Sequence, residues 1–164
     1  MSGFYYITLE HLKGKKFPGF LLYLYVNTGS MTEIITISTR QRNCLYDIGK
    51  DVNKIIKQSG IENGLVNVFT RGATSAIMIQ ENWDKSVQTD VVHLLAKLIP
   101  SGIWEHDRQD NNGDSHLKSG LVGPSETIPL VNGKLALGTW QNIFFCEFDG
   151  PRQRREIAVT IIEA

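Results

Sequence analysis

Short runs of alternating apolar and polar residues dominate this chain, interrupted by two stretches with helical spacing. Glu33 to Thr39 is β-branched, with Ile35 and Ile37 on one face and Ile34 and Thr36 on the other, the two-residue period of a strand. Leu65 to Thr70 is apolar on both faces, which predicts a short buried strand. Arg71-Gly72-Ala73 turns the chain into another strand at Ala76 to Gln80. Between the first two strands, Ile48, Val52, Ile55 and Ile56 recur at helical spacing and predict a helix over Asp47 to Ser59. Asp47 would accept from the free amides of its first turn, and Gly60 stands where a helix commonly ends. A second helix is predicted from an Asp84 cap to about Ile99, with Val87, Val91, Leu94, Leu95 and Leu98 as its buried face and Pro100 as its stop.

Trp104 to Asp114 has no regular period and is polar, the usual character of a loop at the edge of a site. The C-terminal third reads as nearly all β. Thr127 to Val131 and Lys134 to Leu137 flank Asn132-Gly133, a strong signal for a tight hairpin because both residues tolerate positive φ. Pro129 lacks a ladder donor, so its strand is expected at an edge or a bulge. Trp140 to Phe148 is apolar on both faces, with Ile143 and Phe145 against Phe144, Cys146 and Phe148. This predicts two-layer packing or a subunit interface. Glu156 to Ile162 closes the chain as a strand. Two main helices among short strands are the elements this pattern predicts.

Length allows one domain with a real core and is short for two, at 164 residues. Met1 to Ser30 differs from the rest: aromatic, dotted with lysines, with strand-like runs at Phe4 to Leu9 and Phe20 to Val26. It is expected to be an N-terminal extension, either docked on the domain or lying upstream of the natural start. The single domain is then 31–164. The apolar run Phe17 to Val26 is far below the roughly 20 residues that span a bilayer. Lys13, Lys15 and Lys16 precede it as in an export signal, but Asn27-Thr28-Gly29-Ser30 makes a poor cleavage pattern.

Lys+Arg and Asp+Glu are 17 each, a balance that gives no support to nucleic-acid or anionic-membrane binding. Cys44 and Cys146 form no disulfide framework and read as reduced thiols, so a cytoplasmic location is expected. Cys146, between aromatics, reads as an inert small hydrophobe.

His106 and His116 lie ten residues apart and, with Glu81, Asp114 or Glu147, could make a metal or acid–base site; the alternative is that each only bonds a loop backbone. Glu81 and Glu147 continue apolar strand faces. A half-buried carboxylate there needs a partner: a metal, a histidine, or a structural cation such as Arg152 or Lys118. Lys118, Ser119, Ser125 and Arg152 are suited to phosphate, and Gly120 and Gly123 would admit backbone amides to an anion. Arg154 and Arg155 fit better as a solvated basic turn before the last strand. Trp140-Gln141, after Gly138-Thr139, could stack on and bond a planar heterocycle, or the tryptophan could simply start a core strand.

Several of these segments, in order, resemble the YjbQ family, also called the secondary thiamine-phosphate synthase family. They are Gly64-Leu65-Val66-Asn67-Val68-Phe69-Thr70, Ile79-Gln80-Glu81-Asn82-Trp83-Asp84, His106 and Ser115-His116-Leu117-Lys118-Ser119. Gly123-Pro124-Ser125, Leu137-Gly138-Thr139-Trp140-Gln141 and Glu147-Phe148-Asp149-Gly150-Pro151-Arg152 follow. The resemblance runs from about Met31 to Ile162, and family members are commonly about as long as the segment that begins at Met31. It implies an α+β fold with mixed or antiparallel sheets packed about a three-fold axis in a homotrimer, and an activity joining a pyrimidine pyrophosphate to a thiazole phosphate.

By that resemblance Glu81, His106 and His116 are expected to be catalytic. Thr74, Lys118, Ser119, Trp140, Gln141, Glu147 and Arg152 are expected to hold the phosphorylated substrate. A divalent ion, Mg or Zn, would be met by His106 and His116. One departure stands out: where the family has His-Thr-Thr, this chain has Gly72-Ala73-Thr74. The missing histidine keeps a second expectation open, a non-catalytic trimer that binds a phosphorylated metabolite or other proteins.

Overall fold

The computed structural model describes residues 29–164; the predicted strands at Phe4 to Leu9 and Phe20 to Val26, with most of the expected extension, lie outside them. Two antiparallel sheets face each other. The larger has the order β1 (Ser30–Thr39), β8 (Arg152–Glu163), β3 (Gly64–Thr70), β5 (Ser125–Val131), β6 (Lys134–Leu135). The smaller has β2 (Cys44–Asp47), β7 (Gln141–Glu147), β4 (Ser75–Glu81). Helix α1 (Gly49–Ser59) packs Ile48, Val52, Ile55 and Ile56 into the space between them. Val66, Val68, Ile77, Ile143, Phe145, Ile157, Val159 and Ile161 fill the rest of this core.

The far side of the small sheet is covered by α2 (Lys85–Leu98) and α4 (Gly113–Val122), with the short α3 (Asp107–Asp110) between them in sequence. Leu95, Ala76, Cys146 and Phe148 form this second core, with Val91 and Val122 against it. The central strand β7 therefore has one face in each core, and two-layer packing within the chain accounts for its apolar faces.

Local chemistry sets the element ends. Gly60 closes α1 at φ 70°. Asp84 caps α2 through its side chain and the Ser86 amide. Asn132 and Gly133 take φ 50° and 70° between the paired residues Val131 and Lys134, as a tight hairpin demands. The Pro129 carbonyl accepts from Ala136 N on the β6 side, so the missing donor of Pro129 faces the short edge strand and costs the sheet interior nothing.

Among the described residues α3 and α4 accompany the two expected main helices, and α4 occupies a stretch with no helical stripe. Its glycines, serines, aspartate and histidine are poor helix formers, so tertiary contacts hold it. Three expectations are corrected. The first helix begins at Gly49 rather than Asp47, although Asp47 Oδ1 still accepts from Gly49 N at 2.9 Å. Helix α2 lies on a rotated stripe through Val91, Val92, Leu95 and Ile99, leaving Leu94 and Leu98 more than half exposed. Finally, Arg152 to Arg155 is the first part of β8, not a turn before it.

Candidate functional site

One end of the β4–β7 pair is dense with ionisable side chains. Glu147 continues the inner face of β7 past Phe145 and is completely buried between the sheets. Arg155, from β8, grips it with Nε to Oε2 at 2.7 Å and Nη2 to Oε1 at 2.5 Å. Thr39 Oγ1 and the Asp149 amide donate to the same carboxylate, both at 2.9 Å. Arg155 Nη2 also donates to Thr74 Oγ1 at 3.0 Å. A buried ion is tolerated only with this kind of saturation.

Beside it, on the other face of the small sheet, Asp114 and Lys118 lie one helical turn apart in α4, both buried, with Nζ to Oδ2 at 2.6 Å. Arg42 Nη2 reaches the second oxygen of Asp114 at 2.6 Å and Ser115 Oγ at 3.1 Å. Arg42 Nε and Ser115 Oγ both donate to the Phe148 carbonyl, which ties the end of β7 to the start of α4. Asp149 completes the group, taking bonds from Asn112 Nδ2 and from Arg152. Burial pushes the Asp149 carboxyl up, but the bonds from Asn112 and Arg152 outweigh it and leave the pKa below the ordinary value. Asp107 is likewise lowered, chiefly by the Trp104 amide; its other oxygen accepts from Gly113 N and so links α3 to α4.

The two histidines meet here. His106, at the start of α3, and His116, on α4, stand edge to face with ring centroids 4.9 Å apart. Asp110 Oδ2 is 3.8 Å from His106 Nε2. Among the described residues no three His, Cys, Asp or Glu side chains are gathered to hold a metal. Two imidazoles do not by themselves fit a divalent ion, which usually takes four or more donors.

Thr74, Lys118, Ser119 and Glu147 all point inward and bond within the chain; Ser119 Oγ donates to the Ser75 carbonyl at 2.7 Å. Gly123 ends α4, and its amide donates to the Ser119 carbonyl at 2.9 Å, which corrects the expectation of an anion-binding glycine there. Arg152, half exposed, and Arg42, about a third exposed, are the cations of this group with free surface.

The remaining predicted residues are elsewhere. In the β4–β7 register Ser75 faces Glu147 and Glu81 faces Gln141. At ~3.3 Å per residue, Glu81 and Gln141 lie about 20 Å from the ionisable end. Within one chain, Glu81 therefore does not join the histidines. Its neighbours Asn82 and Gln141 line a cleft of about 490 Å³ together with Trp83, Trp140, Thr139 and Asn142. The rings of Trp83 and Trp140 meet at 65° with centroids 5.6 Å apart, and both are exposed. Trp140 is thus not a core residue.

Sequence reasoning missed Arg42 and Trp83 and set Arg155 aside as part of a solvated turn. Of the two missed, Trp83 carried a signal, as an aromatic ring between a strand end and a helix cap. Position 72 is tight: a Cβ on Gly72 would stand 2.5 Å from Ser75 Oγ and 3.0 Å from Arg155 Nη1. Arg155 thus crowds the place where the motif histidine would project.

The sequence profile described as UPF0047 protein YjbQ-like matches residues 33–164. The chain belongs to this family. A UPF0047 protein of Methanothermobacter thermautotrophicus is 45% identical over 125 residues, covering 76% of this chain and 87% of the relative. The UPF0047 protein YugU of Bacillus subtilis is 37% identical over 127 residues, 76% of this chain and 94% of its own length. A YbjQ-like protein of unknown function from Sulfolobus solfataricus P2 superposes with a TM-score of 0.80 at 34% identity, covering 84% of this chain and 99% of that one. The YjbQ-like fold thus spans both ends of the β4–β7 pair.

Proposed function

We propose that this chain binds a small phosphorylated molecule at the ionisable end and joins a pyrimidine pyrophosphate to a thiazole phosphate, in a site shared between protomers of a homotrimer. The observation behind the reading is the separation just described. Cations and imidazoles stand at one end of the β4–β7 pair, ring-binding groups at the other, too far apart for one small substrate. A neighbouring copy presenting its opposite end would bring them together.

In the reaction, the thiazole nitrogen attacks the methylene carbon of the pyrimidine, and the carbon–oxygen bond to pyrophosphate breaks with its electron pair leaving on oxygen. Arg152 and Arg42 face the charge that develops on the departing oxygens. His116, with His106 at its edge, donates a hydrogen bond or proton to that leaving group. Trp140 and Gln141 of the neighbour orient the ring. Two free thiols, Cys44 and Cys146, suit a cytoplasmic setting. No helix among the described residues is long and apolar enough to cross a membrane.

Incubating purified protein with both substrates and following thiamine phosphate by chromatography tests this. Product is expected, with at least a tenfold loss in His116→Ala; equal product from both proteins removes His116 from the mechanism. The shared site has its own test. Mixed oligomers of His116→Ala and Trp140→Ala protomers should regain part of the activity that each variant alone lacks.

Gly72 favours a second reading, a non-catalytic trimer that holds a phosphorylated metabolite or another protein. Saturable binding of a pyrimidine pyrophosphate with no product under any condition would select it.

A further inference from the structure

We infer that the Trp83/Trp140 corner is a binding site for a positively charged planar ring, with Glu81 as its counter-charge. Two indoles that meet at 65° form an open corner, and each remains largely uncovered, at 79% and 55% exposure. Such faces attract cations through the ring quadrupole, tryptophan most strongly.

The surrounding charge agrees in sign. Glu81 and Gln141 are opposite each other in the β4–β7 register, so their side chains share a face, with Cβ atoms about 5 Å apart. Gln141 and Asn82, the cross-strand partner of Glu81 and the residue after it, both line the cleft, so Glu81 stands next to that lining. None of the ion pairs among the described residues involves Glu81. Asp47 lies on the same side, holding Asn82 through Oδ2 at 2.9 Å. Among the described residues no lysine or arginine lines the cleft, and the nearby Lys85 lines a different one with Cys44 and Gln88.

Polar groups at the rim fix which way a ring would lie. Gln141 Oε1 is taken by the Gly138 amide at 2.8 Å, which turns the Nε2 donors outward. Asn82 N donates to the Trp140 carbonyl at 3.1 Å and locks the two tryptophan-bearing segments together, so the corner is built before any ligand arrives.

This deepens the function proposed above, since a thiazole alkylated at nitrogen becomes a thiazolium cation; it rests on that reading only for the identity of the ring. Binding of 3,4-dimethylthiazolium and of neutral 4-methylthiazole to the full chain can be followed by the indole N–H resonances of Trp83, Trp104 and Trp140. The cation should shift Trp83 and Trp140 but not Trp104, and bind at least tenfold more tightly than the neutral ring. Glu81→Gln should abolish that preference and Trp83→Ala the binding. Equal affinity for both rings, or no shift with the cation, overturns the site. Cation binding without thiamine phosphate synthesis would leave the corner standing and remove the condensation; synthesis with no response at Trp83 would do the reverse.

Discussion

Glu147 illustrates how a carboxylate can sit at zero exposure inside a small protein. Two guanidinium bonds, one hydroxyl and one amide take its lone pairs, supplied by Arg155, Thr39 and the nearby Asp149. Removing Arg155 would leave the anion buried and unpaired. Arg155→Ala is expected to cost about 3–5 kcal/mol in urea denaturation, far more than truncating the exposed Arg154. Asp149 makes a pH prediction. Its folded pKa is depressed, so in the unfolded chain it takes up a proton first, near the ordinary pH of about 4. Its contribution is present above that value and is lost as pH falls through the lower folded pKa. The stability gap between the natural chain and Asp149→Asn should therefore shrink between pH 7 and pH 3.

Cys146 behaves in the opposite sense. Burial first, and then the nearby Cys44, push its thiol up to about 12. The neutral thiol is favoured in the fold, so stability holds below the unfolded thiol value and falls as pH rises toward 12. A thiol reagent at pH 8 should modify Cys44 and spare Cys146 until denaturant is added.

At the scale of elements, helix ends and hairpins were legible because single residues dictate them. Gly60, Asp84 and Asn132-Gly133 each impose a backbone geometry that neighbours do not override. The Gly60 position has nothing within 4 Å of an added Cβ, so only conformation is at stake there. Gly60→Ala should cost about 1 kcal/mol through its positive φ, and Asp84→Ala a similar amount through the lost cap. Both are measurable by chemical denaturation. Helix α4 was illegible for the converse reason. Its Asp114–Lys118 pair is local, but the groups that hold that pair, Ser115 and Ser119 in place are Arg42, Asn43 and the carbonyls of Phe148 and Ser75, all far away in sequence, and no local pattern announces them. The site divided along the same line. The histidines were expected to approach each other and do, because the α3–α4 connection is short. Glu81 was grouped with them on sequence alone, and only strand register reveals that β4 carries it to the other end. Arg42 gave no signal and Arg155 was read as part of a solvated basic turn, since an arginine looks solvated until a buried acid faces it.

At the scale of the molecule, the outer face of the large sheet leaves Ile34, Leu65, Phe69, Val131 and Ile162 substantially uncovered. Apolar area of this kind suits the proposed trimer. Sedimentation should give three times the chain mass. A charge placed on that face, such as Leu65→Lys, should shift the mass toward the monomer while far-ultraviolet circular dichroism is retained.

Strand order has one more consequence, for how the chain is made. Strand β7 is the middle of one sheet, and β8 separates β1 from β3 in the other. Both are translated after every other described strand, so β1, β2 and β4 wait without a partner strand while β3, β5 and β6 can already pair. Neither sheet can close until β7 and β8 have been made, and a nascent chain stalled ahead of β7 should remain protease-sensitive until translation resumes.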